Sequence, residues 1–235
     1  MSRPAKPGVY LGQLTRVVFL KISVVRNILN ANNRIAGENR ELFKKESMLV
    51  LNLMSSPGAG KTTLLEQTIS HLKKKMRISV IEGDIQSSTD AERIAKSGAK
   101  AVQINTGGAC HLDANMIRSA LSEIGTKDTD LMFIENVGNL VCPAEFDLGE
   151  DFKVMILSVT EGDDKPEKYP IMFHESSLLL INKIDLLPYV KYDIKKIREK
   201  SLKINPQIDI FEISCKTRQG LDNWFKWILN RLKRT

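Results

Sequence analysis

The chain has 235 residues, 42% of them hydrophobic and 27% charged, so it is long enough to bury a sizeable core. No apolar run approaches the roughly 20 residues that span a bilayer, so we expect a cytoplasmic protein without membrane association. Three cysteines are too few for a disulfide framework, and a reducing compartment is the simple inference.

The net charge of +7 is unevenly distributed along the chain. Residues 48–185 hold 14 Lys and Arg against 20 Asp and Glu, so the excess positive charge lies in the two terminal regions. A protein that grips nucleic acid normally has its basic patch at its working surface. Because most motifs described below lie in the acidic region, we do not expect nucleic-acid binding.

Residues 1–47 are predicted to form a disordered leader followed by an N-terminal helical extension. Residues 1–12 are rich in Pro, Gly and Lys, and apolar residues then recur at helical spacing from about Leu14 to Phe43. This pattern predicts one or two amphipathic helices that pack on the main domain or on a partner. Residues 48–235 are predicted to form the main domain.

From residue 48 onward, short apolar runs alternate with helical stretches. This alternation is typical of an α/β domain with a doubly wound, mostly parallel sheet. Continuous apolar runs indicate strands that are buried on both faces. The predicted strands cover residues 49–54, 77–81, 100–104, 130–135, 153–159, 177–181 and 208–213. The predicted helices cover residues 61–74, 88–97, 113–123, 191–203 and 221–233.

The segment Ser55–Thr62 has the spacing of a phosphate-binding loop, between a predicted strand and a predicted helix. Its glycines let backbone N–H groups surround phosphates, and the helix N-terminus adds its dipole. Lys61 is expected to reach the β- and γ-phosphates, and Thr62 to bind Mg²⁺. Ser55 stands where the usual pattern has glycine, and we expect it to adopt the turn at some cost. The residues expected to contact the nucleotide here are Gly58, Ala59, Gly60, Lys61, Thr62 and Thr63.

A second segment selects the base. Asn182-Lys183-Ile184-Asp185 follows a predicted strand, and the Asp185 carboxylate can accept two hydrogen bonds from guanine. Adenine lacks that pair of donors, so GTP and GDP are favoured over adenine nucleotides. Lys183 is expected to lie across the base, and Asn182 to brace the phosphate loop. Ser214 and Lys216, after the last predicted strand, match the short base-contacting loop of GTPases.

Two acidic residues at strand ends are candidates for magnesium binding. Asp84 and Glu135 each follow a predicted strand, where carboxylates beside a phosphate loop hold Mg²⁺ directly or through water. Glu135-x-x-Gly138 resembles the switch segment of GTPases, so Gly138 is expected to sense the γ-phosphate. Together with Lys61, these three residues are the predicted catalytic group. Asn139 stands where many GTPases have Gln, and no arginine finger can be identified in the sequence, so slow GTP hydrolysis is expected.

A further group of side chains has the composition of a transition-metal site. Cys110 and His111 are adjacent near the predicted start of a helix, and Cys142 lies four residues after Gly138. Two thiols and an imidazole favour Ni²⁺ or Zn²⁺ over Mg²⁺ or Ca²⁺. Adjacent Cys and His cannot close a tetrahedral site alone, so a further ligand from water or a second subunit is expected. The alternative is that each cysteine is simply buried in the core.

Taken together, these segments resemble the hydrogenase nickel-incorporation GTPases, the HypB type, of the dimerising P-loop GTPase class (SIMIBI). The resemblance covers most of residues 22–232. The segments that carry it are residues 55–63, 82–84, 105–114, 133–143, 161–164 and 182–185. A physical role for residues 161–164 is not evident from the sequence beyond a polar loop after a strand.

The resemblance implies a GTP-controlled metallochaperone that delivers nickel to the large subunit of [NiFe]-hydrogenase with a small zinc-containing partner. It also implies a homodimer in the GTP-bound state, with Cys110, His111 and Cys142 completing a metal site between the subunits. Some relatives store nickel on an N-terminal cysteine motif or histidine-rich tract. Residues 1–47 contain no Cys and no His, so no such storage is expected in this sequence.

Three other functions remain open from the sequence. A urease-type nickel GTPase has a Cys-Pro-His run, whereas Cys142-Pro143 is followed here by Ala144. A passive metal-binding protein would have a vestigial nucleotide site, whereas Lys61 and Asp185 are intact. A small-molecule kinase would not explain the guanine-selecting segment.

Overall fold

The computed structural model of the protein describes residues 10–84 and 89–233, in which strands and helices alternate. The strands are β1 (Leu49–Ser55), β2 (Ile78–Asp84), β3 (Lys100–Asn105), β4 (Leu131–Glu135), β5 (Phe152–Ser158), β6 (Leu178–Asn182) and β7 (Asp209–Glu212). The helices are α1 (Tyr10–Lys45), α2 (Lys61–Leu72), α3 (Thr89–Ser97), α4 (Ala114–Ile124), α5 (Cys142–Glu145), α6 (Lys165–Lys168), α7 (Pro170–Glu175), α8 (Ile194–Ile204) and α9 (Leu221–Leu232).

The described strands form one parallel sheet in the order β3-β2-β4-β1-β5-β6-β7. Every predicted strand overlaps an observed one, so the predicted doubly wound α/β fold is confirmed. β1 lies at the centre of the sheet, between β4 and β5. Because the connections diverge to either side of β1, the carboxyl end of this strand is where such sheets bind ligands.

Both faces of the sheet are buried, as the continuous apolar runs predict. Alternate residues of β1 point to opposite faces. Leu51 packs on one face with Leu65 of α2 and Trp224 of α9, and Val50 packs on the other with Ile117 of α4. All five residues of β4 are buried, which requires helices on both sides.

The N-terminal extension is a single helix, α1, rather than two. It begins at Tyr10, so residues 10–12, expected in the leader, are helical; residues 1–9 lie outside the described residues. The boundary between extension and domain at residue 47 stays a prediction. Among the described helices, none is both long and apolar enough to cross a bilayer.

Two buried asparagines attach α1 to the start of α4. Asn39 Nδ2 donates to the carbonyl oxygens of Ala114, at 2.9 Å, and Leu148, at 3.1 Å. The Ala114 amide in turn donates to Asn32 Oδ1 at 2.9 Å. Since buried polar groups hold their place only when paired, α1 is fixed on the domain at this point.

The main differences from the predicted elements lie after β4. Three short helices, α5, α6 and α7, were not predicted, because each is only four to six residues long. Each begins at or next to a proline, which suits the first turn of a helix. The predicted helix 191–203 begins later, at Ile194, because Asp193 caps it by accepting from the Lys196 amide.

Candidate functional site

The phosphate loop joins β1 to α2 at the carboxyl edge of the sheet. Gly58 and Gly60 have φ values of 75° and 103°, which favour glycine. A Cβ atom on Gly60 would lie 2.5 Å from Asn182 Nδ2, so the loop has no room for a side chain there. Thr62 and Thr63 follow in the first turn of α2, where unpaired N–H groups form a ready anion site.

Ser55 has a different role from the one expected. It is the buried last residue of β1 and is not among the described residues with positive φ, so the expectation of a glycine-like turn is wrong. Its hydroxyl donates to the carbonyl of Ser56 at 2.7 Å and accepts from Lys61 Nζ at 2.8 Å. Ser55 therefore holds the Lys61 ammonium over the loop.

A cavity of about 560 Å³ opens beside the phosphate loop. It is lined by Thr62, Asp84, Glu135 and Gly138, among others. The Thr62 hydroxyl donates to Glu135 Oε1 at 2.9 Å, and Asp84 and Glu135 end two neighbouring strands, β2 and β4. Two carboxylates and a hydroxyl around one cavity are a donor set that fits Mg²⁺.

Two residues of this region were missed from the sequence. Arg93 of α3 lines the cavity and makes a bidentate ion pair with Glu66 of α2, at 3.0 and 2.8 Å. Glu161 accepts hydrogen bonds from the Ser56 hydroxyl and from the Ser158 amide, the second at 2.8 Å. The capping-box spacing of Ser158 and Glu161 was a usable signal for the second residue. Nothing local in the sequence places α3 against α2.

The segment predicted to select the base, residues 182–185, contacts the phosphate loop directly. Asn182 Nδ2 donates to the Ala59 carbonyl at 2.9 Å, which is the bracing contact expected of it. Lys183 has a left-handed backbone, with φ 63°, and its ammonium donates to the Gly58 carbonyl at 2.7 Å. The Lys183 side chain therefore lies along the rim of the loop.

The remaining three positions of the predicted base site, Asp185, Ser214 and Lys216, differ in their surroundings. Ser214 Oγ donates to Asp185 Oδ1 at 2.6 Å, and also accepts from the Thr217 amide at 3.0 Å. This pair orients the Asp185 carboxylate. Lys216 is exposed at the same end of the sheet.

The two cysteines and the histidine come together although they are distant in sequence. Cys110 Sγ lies 3.2 Å from Cys142 Sγ and 3.6 Å from His111 Nδ1. Ligand atoms of the three side chains all lie within 4.8 Å of one another, which is a suitable spacing for one metal ion. The His111 ring also packs on Phe146, with ring centroids 3.9 Å apart. The donor set of two sulfurs and one nitrogen fits Ni²⁺ or Zn²⁺.

The surroundings of this group change its protonation. Partial burial lowers the pKa of His111, so its imidazole is neutral and able to bind a metal at pH 7. The hydrogen bond with Cys110, together with burial, raises the pKa of Cys142. Metal binding at this group must therefore release thiol protons.

Comparison with known proteins identifies the family. Residues 49–212, more than half of the chain, match the family described as CobW/HypB/UreG, nucleotide-binding domain. The chain belongs to this family. It is 52% identical over 207 residues to the hydrogenase maturation factor HypB of Escherichia coli (strain K12), covering 88% of this chain and 71% of that protein.

Two solved structures of HypB proteins have the same fold. The crystal structure of hydrogenase maturation factor HypB from Archaeoglobus fulgidus has a TM-score of 0.82 at 42% identity, covering 87% of this chain and 100% of that chain. The structure of HypB from Helicobacter pylori in complex with nickel has a TM-score of 0.81 at 40% identity, covering 87% and 96%.

The part of the chain that matches the CobW/HypB/UreG family contains most of the nucleotide site and all three residues of the cysteine and histidine group. It includes the phosphate loop, the cavity, the Cys110–Cys142 group and the segment 182–185. It ends before Ser214 and before Lys216, and it begins after α1. The protein is therefore a nucleotide-binding P-loop protein of this family, with the cysteine and histidine group in the same domain.

Proposed function

We propose that the protein is a GTP-binding and GTP-hydrolysing metallochaperone that delivers nickel during maturation of [NiFe]-hydrogenase. The observation that carries this proposal is the position of Cys142, which lies seven residues after Glu135 at the end of β4 and 3.2 Å from Cys110. One segment thus runs from the nucleotide cavity to the metal ligands. High identity to HypB proteins, one of them solved in complex with nickel, supports the same function.

In this proposal the nucleotide is GTP, which is hydrolysed to GDP and phosphate. GDP is then exchanged for a new GTP. Asp185, oriented by Ser214, selects guanine by accepting from its N–H groups. Lys61 binds the β- and γ-phosphates. Thr62, Asp84 and Glu135 would hold Mg²⁺, which would offset negative charge on the phosphates.

Slow intrinsic GTP hydrolysis is part of the proposal, because a switch protein acts through the nucleotide that it has bound and does not need rapid turnover. Gly138 lines the cavity and is the candidate sensor of the γ-phosphate. Asn139, at the position of the usual glutamine, donates its side-chain amide to the Cys110 carbonyl at 3.1 Å. Its side-chain amide therefore hydrogen-bonds the loop that carries Cys110 and His111, and is not directed to an attacking water.

Nickel is the cargo in this scheme, held by Cys110, His111 and Cys142. Three ligands leave a four-coordinate ion one ligand short, and a GTP-bound homodimer brings a second set of the same residues by symmetry. Zn²⁺ suits the same donors and is the competing ion. The proposed partners are a small zinc-containing nickel chaperone and the hydrogenase large subunit, in the cytoplasm, without nucleic acid or membrane.

The urease-type alternative has less support. Ala144 occupies the position after Cys142-Pro143, and the hydrogenase maturation factors named above align over most of their length. A passive metal-binding protein with a vestigial nucleotide site predicts no specific GTP binding. Measuring GTP binding with ATP as competitor separates that alternative from the proposal.

The decisive experiment measures nickel and zinc binding with GDP and with a non-hydrolysable GTP analogue, while molecular mass in solution is followed. We expect the analogue to produce a dimer whose nickel affinity or stoichiometry differs from that of the GDP form. The variant Cys142→Ala should lose nickel while retaining the nucleotide, and Cys215→Ala is the matched control. If metal affinity and molecular mass are the same with GDP and with the GTP analogue, the switch-coupled function is contradicted. The GTPase assignment would remain intact.

A further inference from the structure

Two asparagines that flank Gly138 connect the switch segment, residues 135–142, to the loop that carries Cys110 and His111. This loop, residues 106–113, is called the metal loop below. Asn139 bridges the two by its side chain. Its Nδ2 donates to the Cys110 carbonyl at 3.1 Å, and its Oδ1 accepts from the Val141 amide at 2.8 Å. One end of the amide group thus holds the metal loop, and the other holds the residue before Cys142.

Asn136 makes a matching contact on the other side of His111. Its Oδ1 accepts from the Leu112 amide at 3.1 Å and from its neighbour Val137 at 3.0 Å. Its Nδ2 donates to Asn52 Oδ1 at 3.2 Å, on the central strand β1. Asn136 is 1% exposed, so these bonds form where water cannot replace them.

The metal loop is therefore held on both sides of His111. The Cys110 carbonyl is bonded to Asn139, and the Leu112 amide is bonded to Asn136. Both asparagines belong to the segment that begins at Glu135 in the nucleotide cavity and ends at Cys142. A displacement of Gly138 that carried these side chains along would move all three metal ligands together.

Packing of the switch segment on the phosphate loop completes the connection. A Cβ atom on Gly138 would lie 2.9 Å from Pro57 Cγ and 3.1 Å from Pro57 Cα, so the two backbones are in direct contact. A movement of the phosphate loop therefore displaces Gly138, whose neighbours Asn136 and Asn139 hold the metal loop. Densely packed contacts of this kind switch between discrete arrangements instead of deforming gradually.

We propose that Asn139 and Asn136 are positioning residues that transmit the nucleotide state to the metal site. Asn139 hydrogen-bonds the Cys110 carbonyl and the Cys142 side chain. Asn136 lines the nucleotide cavity and accepts from the Leu112 amide. This inference rests on the proposed function, since it needs a metal affinity that depends on the nucleotide. Without these side chains, Cys142 would still follow the switch, while Cys110 and His111 would not.

The test is the ratio of nickel dissociation constants with GDP and with a non-hydrolysable GTP analogue. Coupling between two sites is typically about 5- to 150-fold, so the wild-type ratio is measurable. The variant Asn139→Asp keeps the acceptor for Val141 and removes the amide donor to the Cys110 carbonyl and to the Cys142 side chain. We expect its ratio to fall to within about twofold of unity, while nickel still binds with a nickel–thiolate absorption band.

The added charge of Asn139→Asp needs its own control, because an anion beside thiols strengthens metal binding in both nucleotide states. Asn105→Asp introduces the same charge on the metal-loop side, where the Asn105 side chain accepts from the Gly107 amide. We expect Asn105→Asp to keep the wild-type ratio. Asn136→Ala should lose the ratio, and because Asn136 lines the nucleotide cavity, a wild-type circular dichroism spectrum is the check that the domain is folded.

Each outcome separates this inference from the proposed function. A wild-type ratio of one overturns the coupling itself, and with it the role of both asparagines. A coupled wild type together with a fully coupled Asn139→Asp variant overturns only the inference. Loss of the ratio in both Asn139→Asp and Asn105→Asp also overturns it, since the loop would then respond to any nearby charge.

Discussion

Gly138 of the switch segment lies against Pro57 of the phosphate loop with no space for a side chain. A Cβ atom at this position would approach three Pro57 atoms at 2.9–3.1 Å, two of them backbone atoms. Backbone atoms cannot turn away as the end of a flexible side chain can. The contact therefore requires glycine at residue 138.

The variant Gly138→Ala should separate the switch segment from the phosphate loop. We expect at least a tenfold loss of affinity for a GTP analogue, about 1.4 kcal/mol, with a smaller effect on GDP. Gly37→Ala is the matched control, because an added Cβ there meets nothing within 4 Å on helix α1. Since alanine is the better helix former, that control should be neutral or up to about 1 kcal/mol more stable. Equal analogue affinity in the two variants would contradict the prediction.

Asp185→Asn should abolish the preference for guanine. The carboxylate is the proposed acceptor for two guanine N–H groups, and hydrogen bonds to a charged group contribute about 1.5–3 kcal/mol each. Allowing for solvent, we expect a loss of about 2–4 kcal/mol, roughly 30- to 1,000-fold, in a GDP binding titration. Asp193→Asn is the control, since the Asp193 side chain caps α8. If both variants bind GDP equally well, Asp185 does not read the base.

Nickel affinity should rise with pH, because the cysteines bind as thiolates. The pKa of Cys142 is raised by its hydrogen bond with Cys110, so protons compete for this ligand up to high pH. Below the thiol pKa values, each released proton adds about tenfold in affinity per pH unit. The pKa of His111 is lowered by burial, so protons compete with nickel for its imidazole only below the ordinary pKa of about 6.5.

The role of His111 in that pH dependence can be isolated by substitution. His111→Gln should weaken nickel binding by the loss of one ligand and leave the slope between about pH 7 and 9 unchanged. Isothermal titration in buffers of different ionisation enthalpy counts the released protons. A slope that changes in this range would mean that the imidazole titrates there, contrary to the prediction.

The two metal-site thiols should also be the first to oxidise. Their sulfur atoms lie 3.2 Å apart, so treatment with hydrogen peroxide should join them in a disulfide as each thiol loses its hydrogen and peroxide becomes water. Bound nickel should protect them. Cys215 serves as the internal control, because burial raises its pKa to about 12 and keeps it unreactive. Peptide mapping after thiol labelling should find Cys215 alone still free.

Much of the nucleotide site could be predicted because its residues are contiguous in sequence. The phosphate loop and the segment Asn182–Asp185 each follow a strand, and parallel strands bring their carboxyl ends to one edge. Local spacing was enough to expect Asn182 beside the phosphate loop. It was not enough to place Arg93, because that position depends on how α3 packs against α2.

The interpretation of individual side chains was less secure where a hydrogen bond decides the role. Ser55 looked like a strained substitute for glycine, and instead ends β1 and holds Lys61. Asn139 was noted only as standing where many GTPases have Gln, and its contact with the Cys110 carbonyl was not predicted. Both contacts join residues whose relative orientation follows from tertiary packing, which sequence spacing alone does not encode.

Strand β4 ends in a carboxylate, and a thiol follows seven residues later. In the proposed function Glu135 and Cys142 bind two different divalent cations at once. Oxygen ligands prefer hard ions such as Mg²⁺, and thiolates prefer softer ones such as Ni²⁺. The chemistry of the donor atoms thus directs each ion to its own site. In the proposed function, a rise in magnesium concentration should therefore not displace nickel from the thiolates.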